Sequence, residues 1–311
     1  MPETKVKAQH TVQCAYLAGF YDAALGVRKP RLRVYSPNQP VRTQVPRECA
    51  VVNYFYCFDQ DGKRSFLVEN QIAEMENASA PILDGLRRGR LPKPGTDSLT
   101  LAGYVALSAV RTPTAKRIVD QAYIDHQIER FRFLIDTPGE LEAYLEAEEK
   151  RTGLKRDAAD ERRKLKGGQI RVTQSNHAWS LRMMFEQLTT FQHRVMRLHW
   201  MLLRSESGFL TCDHPVTFLT PRAERVRLRP GKVDPDVLFP VSRDYCFIGS
   251  LTPTPRYGEL DESQTKLFNL ATIRRADRFV YSPFDVSYVQ EELDKAHQGK
   301  LDTMKSDAIQ L

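Results

Sequence analysis

The segment from Leu99 to Val110, LTLAGYVALSAV, is almost wholly apolar, and the residue that follows it is Arg111. It is far shorter than the ~18 to 20 residues that span a bilayer, so its side chains must be covered by protein. A helix that is apolar all round belongs at the centre of a fold. The guanidinium at its end then needs a carboxylate, because a buried charge without a partner is strongly destabilising. Spacing places another helix from about Glu69 to Arg88, stopped by Gly89, with Glu69, Ile72, Ala73, Glu76 and Leu83 close to one stripe. Glu76 on that stripe is the expected partner of Arg111. The pair fits a structural ion bridge between packed helices, and it also fits a guanidinium that binds an anion beside a positioned carboxylate.

The rest of the chain divides into a helical middle flanked by strand-like ends. Residues 8 to 21 place Val12, Tyr16, Leu17 and Phe20 at helical spacing, which predicts a short helix ending near Gly19, and "RLRVYS" alternates as a strand does. "AVVNYFYCF", the turn "DQDG" and "RSFLVE" read as a hairpin. Asp97 or Ser98 is the expected cap of the apolar helix, and Thr112-Pro113 breaks it before helix resumes through Phe133. Residues 138 to 168 mix both charge signs at helical spacing, which predicts a solvated helical excursion rather than a nucleic-acid arm. An amphipathic helix from Asn176 to Leu198 is followed by "HWMLLRS", "GFLTCD", "VTFLT", "VLFPVS" and "YCFIGSL", all strand-like. A late helix at about 261 to 276 leads into "RFVYS". The expected architecture is one α+β domain over residues 1–311, with an antiparallel sheet built from both chain ends and packed on the helical middle.

Composition narrows the function classes. Apolar residues at 41% and charged residues at 27% exclude wholesale disorder. The net charge of +7 and pI near 9.1 favour polyanionic partners such as nucleic acid or nucleotides, without locating a basic patch. Five scattered cysteines with no C-x-x-C pair, no apolar leader core and no membrane-length run predict a cytoplasmic protein with reduced thiols. Walker, G-x-G-x-x-G, G-x-S-x-G and H-E-x-x-H motifs are all missing from the sequence.

Within "GFLTCDHPVTFL", residues 208 to 219, an apolar strand runs into Asp213, His214 and Pro215. An aspartate there either caps a turn through nearby backbone N–H groups or presents a charge at the rim of a site. His10, after Gln9, is either a surface or hydrogen-bond-satisfied histidine or a site residue. His177, His193 and His199 lie sixteen and six residues apart, which does not match helical metal-ligand spacing.

Taken in order, five segments resemble a bacterial family of proteins of unknown function. "QHTVQCAYLAGF" is similar to its opening Q-H-x-V-P-x-x-Y-L-x-x-F, and "VENQIAEMENASAPIL" to its E-x(6)-E helix. "VALSAVRTP" is similar to its R-T-P helix end, "FLTCDHPV" to T-S-D-x-P-V, and "FNLATIRRADRFVYS" to its closing helix with an asparagine and arginines. Gln13 stands where that family has proline, Thr11 where an aromatic often follows the histidine, Cys212 where it has serine and His214 where it has asparagine. The resemblance implies the fold and one constellation: His10, Glu76, Arg111 and Asp213 as catalytic candidates, with Gln9, Arg111 and Asn269 contacting substrate. An imidazole, two carboxylates, a guanidinium and an amide suit a nuclease-like hydrolase of phosphodiesters, of the kind met in toxin or phage-defence settings. The carboxylates would hold a divalent metal such as Mg2+ or orient the histidine. The alternatives are a non-catalytic module for a small anionic ligand, and a structural protein whose polar cluster is a set of buried ion pairs.

Overall fold

The apolar run before Arg111 forms the helix around which the rest of the computed structural model is arranged. The structure describes residues 7–25, 30–60, 63–167, 173, 176–218 and 237–309. Chain order begins with Ala8–His10 (β1) and Cys14–Leu17 (α1), followed by Leu32–Tyr35 (β2), Arg42–Gln44 (β3), Val51–Asn53 (β4), Phe58–Gln60 (β5) and Lys63–Ser65 (β6). The middle consists of Leu67–Arg87 (α2), Thr96–Val110 (α3), Pro113–Asp136 (α4), Glu140–Thr152 (α5), Ala158–Lys166 (α6) and His177–Met196 (α7). Then come His199–Ser205 (β7), Thr211–Cys212 (β8), Thr217–Phe218 (β9), Val237–Pro240 (β10), Tyr245–Ser250 (β11) and Tyr257–Leu260 (β12). Glu262–Arg275 (α8), Val280–Ser282 (β13) and Ser287–Ile309 (α9) complete it.

The fold is α+β, with strands from both parts of the chain around a helical middle. One sheet has the order β3-β2-β13-β8 and is antiparallel throughout, so N-terminal strands pair directly with C-terminal ones. A second sheet, β12-β7-β11-β10-β9, is antiparallel except for the parallel β12–β7 pair. Alternation along its strands covers both faces. Leu202, Val237, Phe239 and Phe247 join a core with Tyr16, Phe20, Leu86 and Tyr104 from the helical side. Met201, Leu203, Leu238 and Ile248 turn the other way, onto Phe268 and Ala271 of α8. Each such large side chain contributes roughly 1.5 to 3 kcal/mol when fully buried.

Local chemistry sets the helix ends. Pro113 opens α4 with the Thr112 hydroxyl accepting from Ala115 N–H at 3.2 Å, and Asp261 with Gln264 forms a capping box on α8. Gly89 ends the turn after α2 at φ +74°, where a Cβ would lie 2.7 Å from the Tyr245 hydroxyl. Arg87, in the last turn of α2, donates to the carbonyls of Ala15 (2.7 Å) and Tyr16 (3.0 Å), fastening α1 in place. Every residue of α3 from Leu101 to Val110 is buried. α3 packs between α2 and α7, while α5 and α6 close a small separate core around Leu134, Leu141 and Leu145 beyond α4. No helix among the described residues is long and apolar enough to cross a membrane.

Several local expectations change. The short helix expected to end near Gly19 is present as Cys14–Leu17 with a 3-10 turn over Ala18–Phe20, but Ala8–His10 before it pairs with Val51–Asn53 as a two-stranded ribbon. The strand expected through "AVVNYFYCF" is interrupted where Ala50 and Tyr54 take positive φ, leaving β5 and β6 as the hairpin. Its turn at 61–62 lies outside the described residues, as do Leu219 and Thr220 of "VTFLT" and Gly168 at the end of the charged stretch. α3 starts at Thr96 after Gly95, so neither Asp97 nor Ser98 is its cap. β12 and α9 were not anticipated; the first is a short, half-polar edge strand and the second is charge-dense.

Candidate functional site

Arg111 is the C-cap of α3, held by its own N–H to Leu107 O at 3.0 Å, and is 3% exposed. A guanidinium offers five N–H donors in a planar fork, and here they reach three separate segments. Nη1 donates to Glu76 Oε1 on α2, Nη2 to the carbonyl of His10 at the end of β1, and Nε to the hydroxyl of Tyr56 at 3.4 Å. Tyr56 returns its own hydroxyl proton to Arg111 O at 2.7 Å. Desolvation disfavours the charge on Arg111, but Tyr56 and Glu76 outweigh it and raise its pKa. Burial likewise pushes the Tyr56 hydroxyl up to about 12, against the pull of Arg111.

A cavity of about 570 Å³ opens over this junction, lined among others by His10, Gln13, Cys14, Arg47, Glu69 and Glu76. Glu69 and Glu76 are seven residues apart on α2, almost two turns, so both carboxyls reach the same space. Their surroundings differ. Glu76 is ion-paired with Arg111. The Oε2 of Glu69 is shielded from solvent and has no hydrogen-bond partner. Desolvation raises the Glu69 pKa and the charge of Glu76 raises it further, against the pull of Arg111. His10 places Nε2 at 3.1 Å from Arg47 O. A carbonyl accepts only, so Nε2 is the donor in this contact. Burial and then Glu76 raise the Cys14 thiol pKa despite Arg47, which disfavours the thiolate. Gln13 has φ −56°, an angle that proline also adopts, and its side chain accepts from Tyr104 at 2.6 Å.

The other expected site residues lie elsewhere. Asp213 does not face His10: its oxygens accept from the backbone N–H groups of Asp277 (2.8 Å), Arg278 (2.8 Å) and Phe279 (3.1 Å). It therefore caps the turn between α8 and β13, and its donors are sixty-odd residues away rather than two or three. Desolvation pushes its pKa up to about 6, against the pull of those three donors. The cavity that Asp213 lines, of about 360 Å³, includes none of His10, Glu76 and Arg111. Asn269 is 3% exposed and bridges Gly208 O (3.0 Å) and Leu210 N–H (3.1 Å), pinning α8 to the segment before β8. Gln9 is fully buried; it accepts from Tyr56 N–H at 2.7 Å and contacts Cys57 Sγ at 3.3 Å, so it shapes the turn rather than a ligand. Of the expected constellation, His10, Glu76 and Arg111 come together, and Asp213, Asn269 and Gln9 serve the fold.

Among the described residues, no group of three or more His, Cys, Asp or Glu is placed to hold a metal ion. Glu69, Tyr56 and Arg47 were not among the expected site residues. Spacing already put Glu69 on the stripe of Glu76, whereas Arg47 enters through its backbone carbonyl, which no side-chain pattern reveals.

Compared with known families, residues 8–283 match the family described as "Protein of unknown function (DUF4238)", most of the chain's length. Among curated proteins and among solved structures, nothing matches the chain.

Proposed function

The chain belongs to the DUF4238 family, and from that premise, which brings no activity with it, we propose a function from the site itself: a hydrolase that cleaves a phosphodiester of a nucleotide or nucleic acid in the cavity over Arg111. The observation that carries this reading is the unlike environment of two glutamates on one helix face, with His10 beside them. A carboxyl whose pKa is raised by burial is suited to act as a general acid, with an imidazole beside it as the base. In this scheme Glu69, whose pKa is raised by burial, gives a proton to the leaving oxygen as the P–O bond breaks. His10 Nδ1 takes a proton from the water whose oxygen forms the new bond to phosphorus. Arg111 is a positioning residue, because its donors already serve Glu76, the His10 carbonyl and Tyr56. Substrate charge falls instead to Arg47, which lines the cavity and is exposed.

The saturation of Arg111 also favours a second reading, in which the cavity holds a small anionic ligand without turnover. The two are separated by incubating the protein with nucleotides and with short RNA and DNA, with Mg2+ present, and following products by chromatography. Turnover that falls by about 10² to 10⁴-fold in Glu69→Gln supports the hydrolase. Saturable, salt-sensitive binding without product supports the binding module. Neither product nor binding overturns both.

A further inference from the structure

We propose that a second cavity, over one face of the β3-β2-β13-β8 sheet, binds a small aromatic carboxylate that carries a polar atom at its far end. The space measures about 360 Å³ and shares no residue with the cavity over Arg111. Sheet register builds its wall. Tyr281 of β13 lies opposite Val34 of β2, and Val34 lies opposite Arg42 of β3, so the three share one face in a single row. Phe279, two residues before Tyr281, belongs to the same face, and the two rings stack at 6.4 Å. Arg278 is held at that wall too, its guanidinium 5.3 Å from the centre of the Phe279 ring.

The observation that points to a ligand lies at the inner end of this row. Tyr281 is 1% exposed and lines the cavity, yet its hydroxyl has no hydrogen-bond partner. The backbone of Ala50 comes near without completing a bond. Burial raises the pKa of this phenol well above its ordinary value, so the hydroxyl keeps its proton and is a donor. Buried polar groups are nearly always satisfied, and the adjoining cavity is where a partner fits. The outer end sets the charge of the occupant. Arg42 and Arg278 are exposed, and among the described residues neither is ion-paired. Of the acids lining the space, Asp213 takes three backbone N–H groups and Asp277 is bridged to Arg117 at 2.6 Å, which leaves the exposed Glu48. Two guanidiniums against one carboxylate favour an anion at the rim. Between rim and floor the wall is apolar, with Val34, Val51 and Phe55 beside Phe279, and suits a ring. At a liquid share of about 30 Å³ per water-sized group, the volume holds a ligand of roughly 12 non-hydrogen atoms.

The probe is 4-hydroxybenzoate, titrated by calorimetry beside benzoate, which lacks the far polar atom, and 4-hydroxybenzyl alcohol, which lacks the charge. The expected result is one saturable site that binds 4-hydroxybenzoate about tenfold tighter than the alcohol and about threefold to tenfold tighter than benzoate. Arg42→Gln and Arg278→Gln, both at exposed positions, should each weaken the acid by about threefold or more and leave the alcohol unchanged. Tyr281→Phe is the decisive variant. It should lower the affinity for 4-hydroxybenzoate to that for benzoate, while the ligand-free protein melts no lower than wild type, because the deleted hydroxyl has no partner. A hydroxyl that serves the fold alone gives the opposite pattern, a lower melting temperature with unchanged binding. That pattern, the absence of saturable binding, or equal affinity for the alcohol would overturn the proposal.

Discussion

Arg111 and Asp213 hold matching places in the sequence, each a charge that ends an apolar segment, and the fold answers them in different ways. Arg111 meets a side-chain carboxylate, a strand-end carbonyl and a phenol from three distant segments, and the junction lies beneath a cavity. Asp213 meets three consecutive backbone N–H groups of one turn. In the first case a second carboxyl, Glu69, has an oxygen with no partner. In the second, three consecutive backbone donors hold both carboxylate oxygens to one turn. A buried charge met by backbone points to architecture. One met by side chains from several elements, beside an unsatisfied acid, points to a site.

The largest effect expected from this contrast is on stability at the junction. Arg111→Ala strands Glu76 and the His10 carbonyl and should lower the unfolding free energy by ~3 to 5 kcal/mol, read from urea denaturation. Arg111→Lys should recover only part, since an ammonium cannot reproduce the planar fork. Melting like wild type in Arg111→Ala would place the junction outside the load of the fold.

Asn269→Leu should cost about 2 to 3 kcal/mol, because it leaves Gly208 O and Leu210 N–H buried without partners. It should leave turnover or binding at the Glu69 cavity unchanged. A loss of function without a loss of stability would return Asn269 to the site.

Asp213→Asn should cost less, about 1 to 2 kcal/mol, since one acceptor oxygen survives. Its clearer signature is in pH. The folded pKa of about 6 lies above the free value of about 3.9, so the folded state binds more protons between them. The contribution of Asp213 is therefore most favourable below the free value and is lost as pH rises through about 6. The Asn variant should lack that slope in a comparison of unfolding at pH 4.5 and pH 7. An unchanged slope would mean that Asp213 titrates as it does when free.

The smallest effect belongs to the charged excursion. Arg162→Ala removes a bridge to Glu142 on a solvated pair of helices, and the melting temperature should not move measurably. A clear drop would show that α5 and α6 support the fold more than their exposure suggests.

Much of the architecture was legible because burial constrains it locally. The apolar run before Arg111 demanded a central helix, and a charge at its end demanded a carboxylate on the neighbouring stripe. Glu69 was legible as a position on that stripe but not as a site residue, since its distinguishing feature is an oxygen that the fold leaves without a partner. Asp213 and Asn269 were misplaced because their partners lie about sixty residues away in sequence and are backbone groups. A motif resemblance marks such residues without saying whether fold or chemistry needs them. Tyr54 and Ala50, which interrupt an apparently continuous strand, adopt positive φ without the glycine that would have announced it.

The most direct test of the contrast between these two regions is phosphodiester turnover by Glu69→Gln and Asp213→Asn, measured side by side at a temperature where both are folded. The account predicts a loss of about 10² to 10⁴-fold in Glu69→Gln, with Asp213→Asn close to wild type. Equal loss in the two variants, or loss in Asp213→Asn alone, would contradict it.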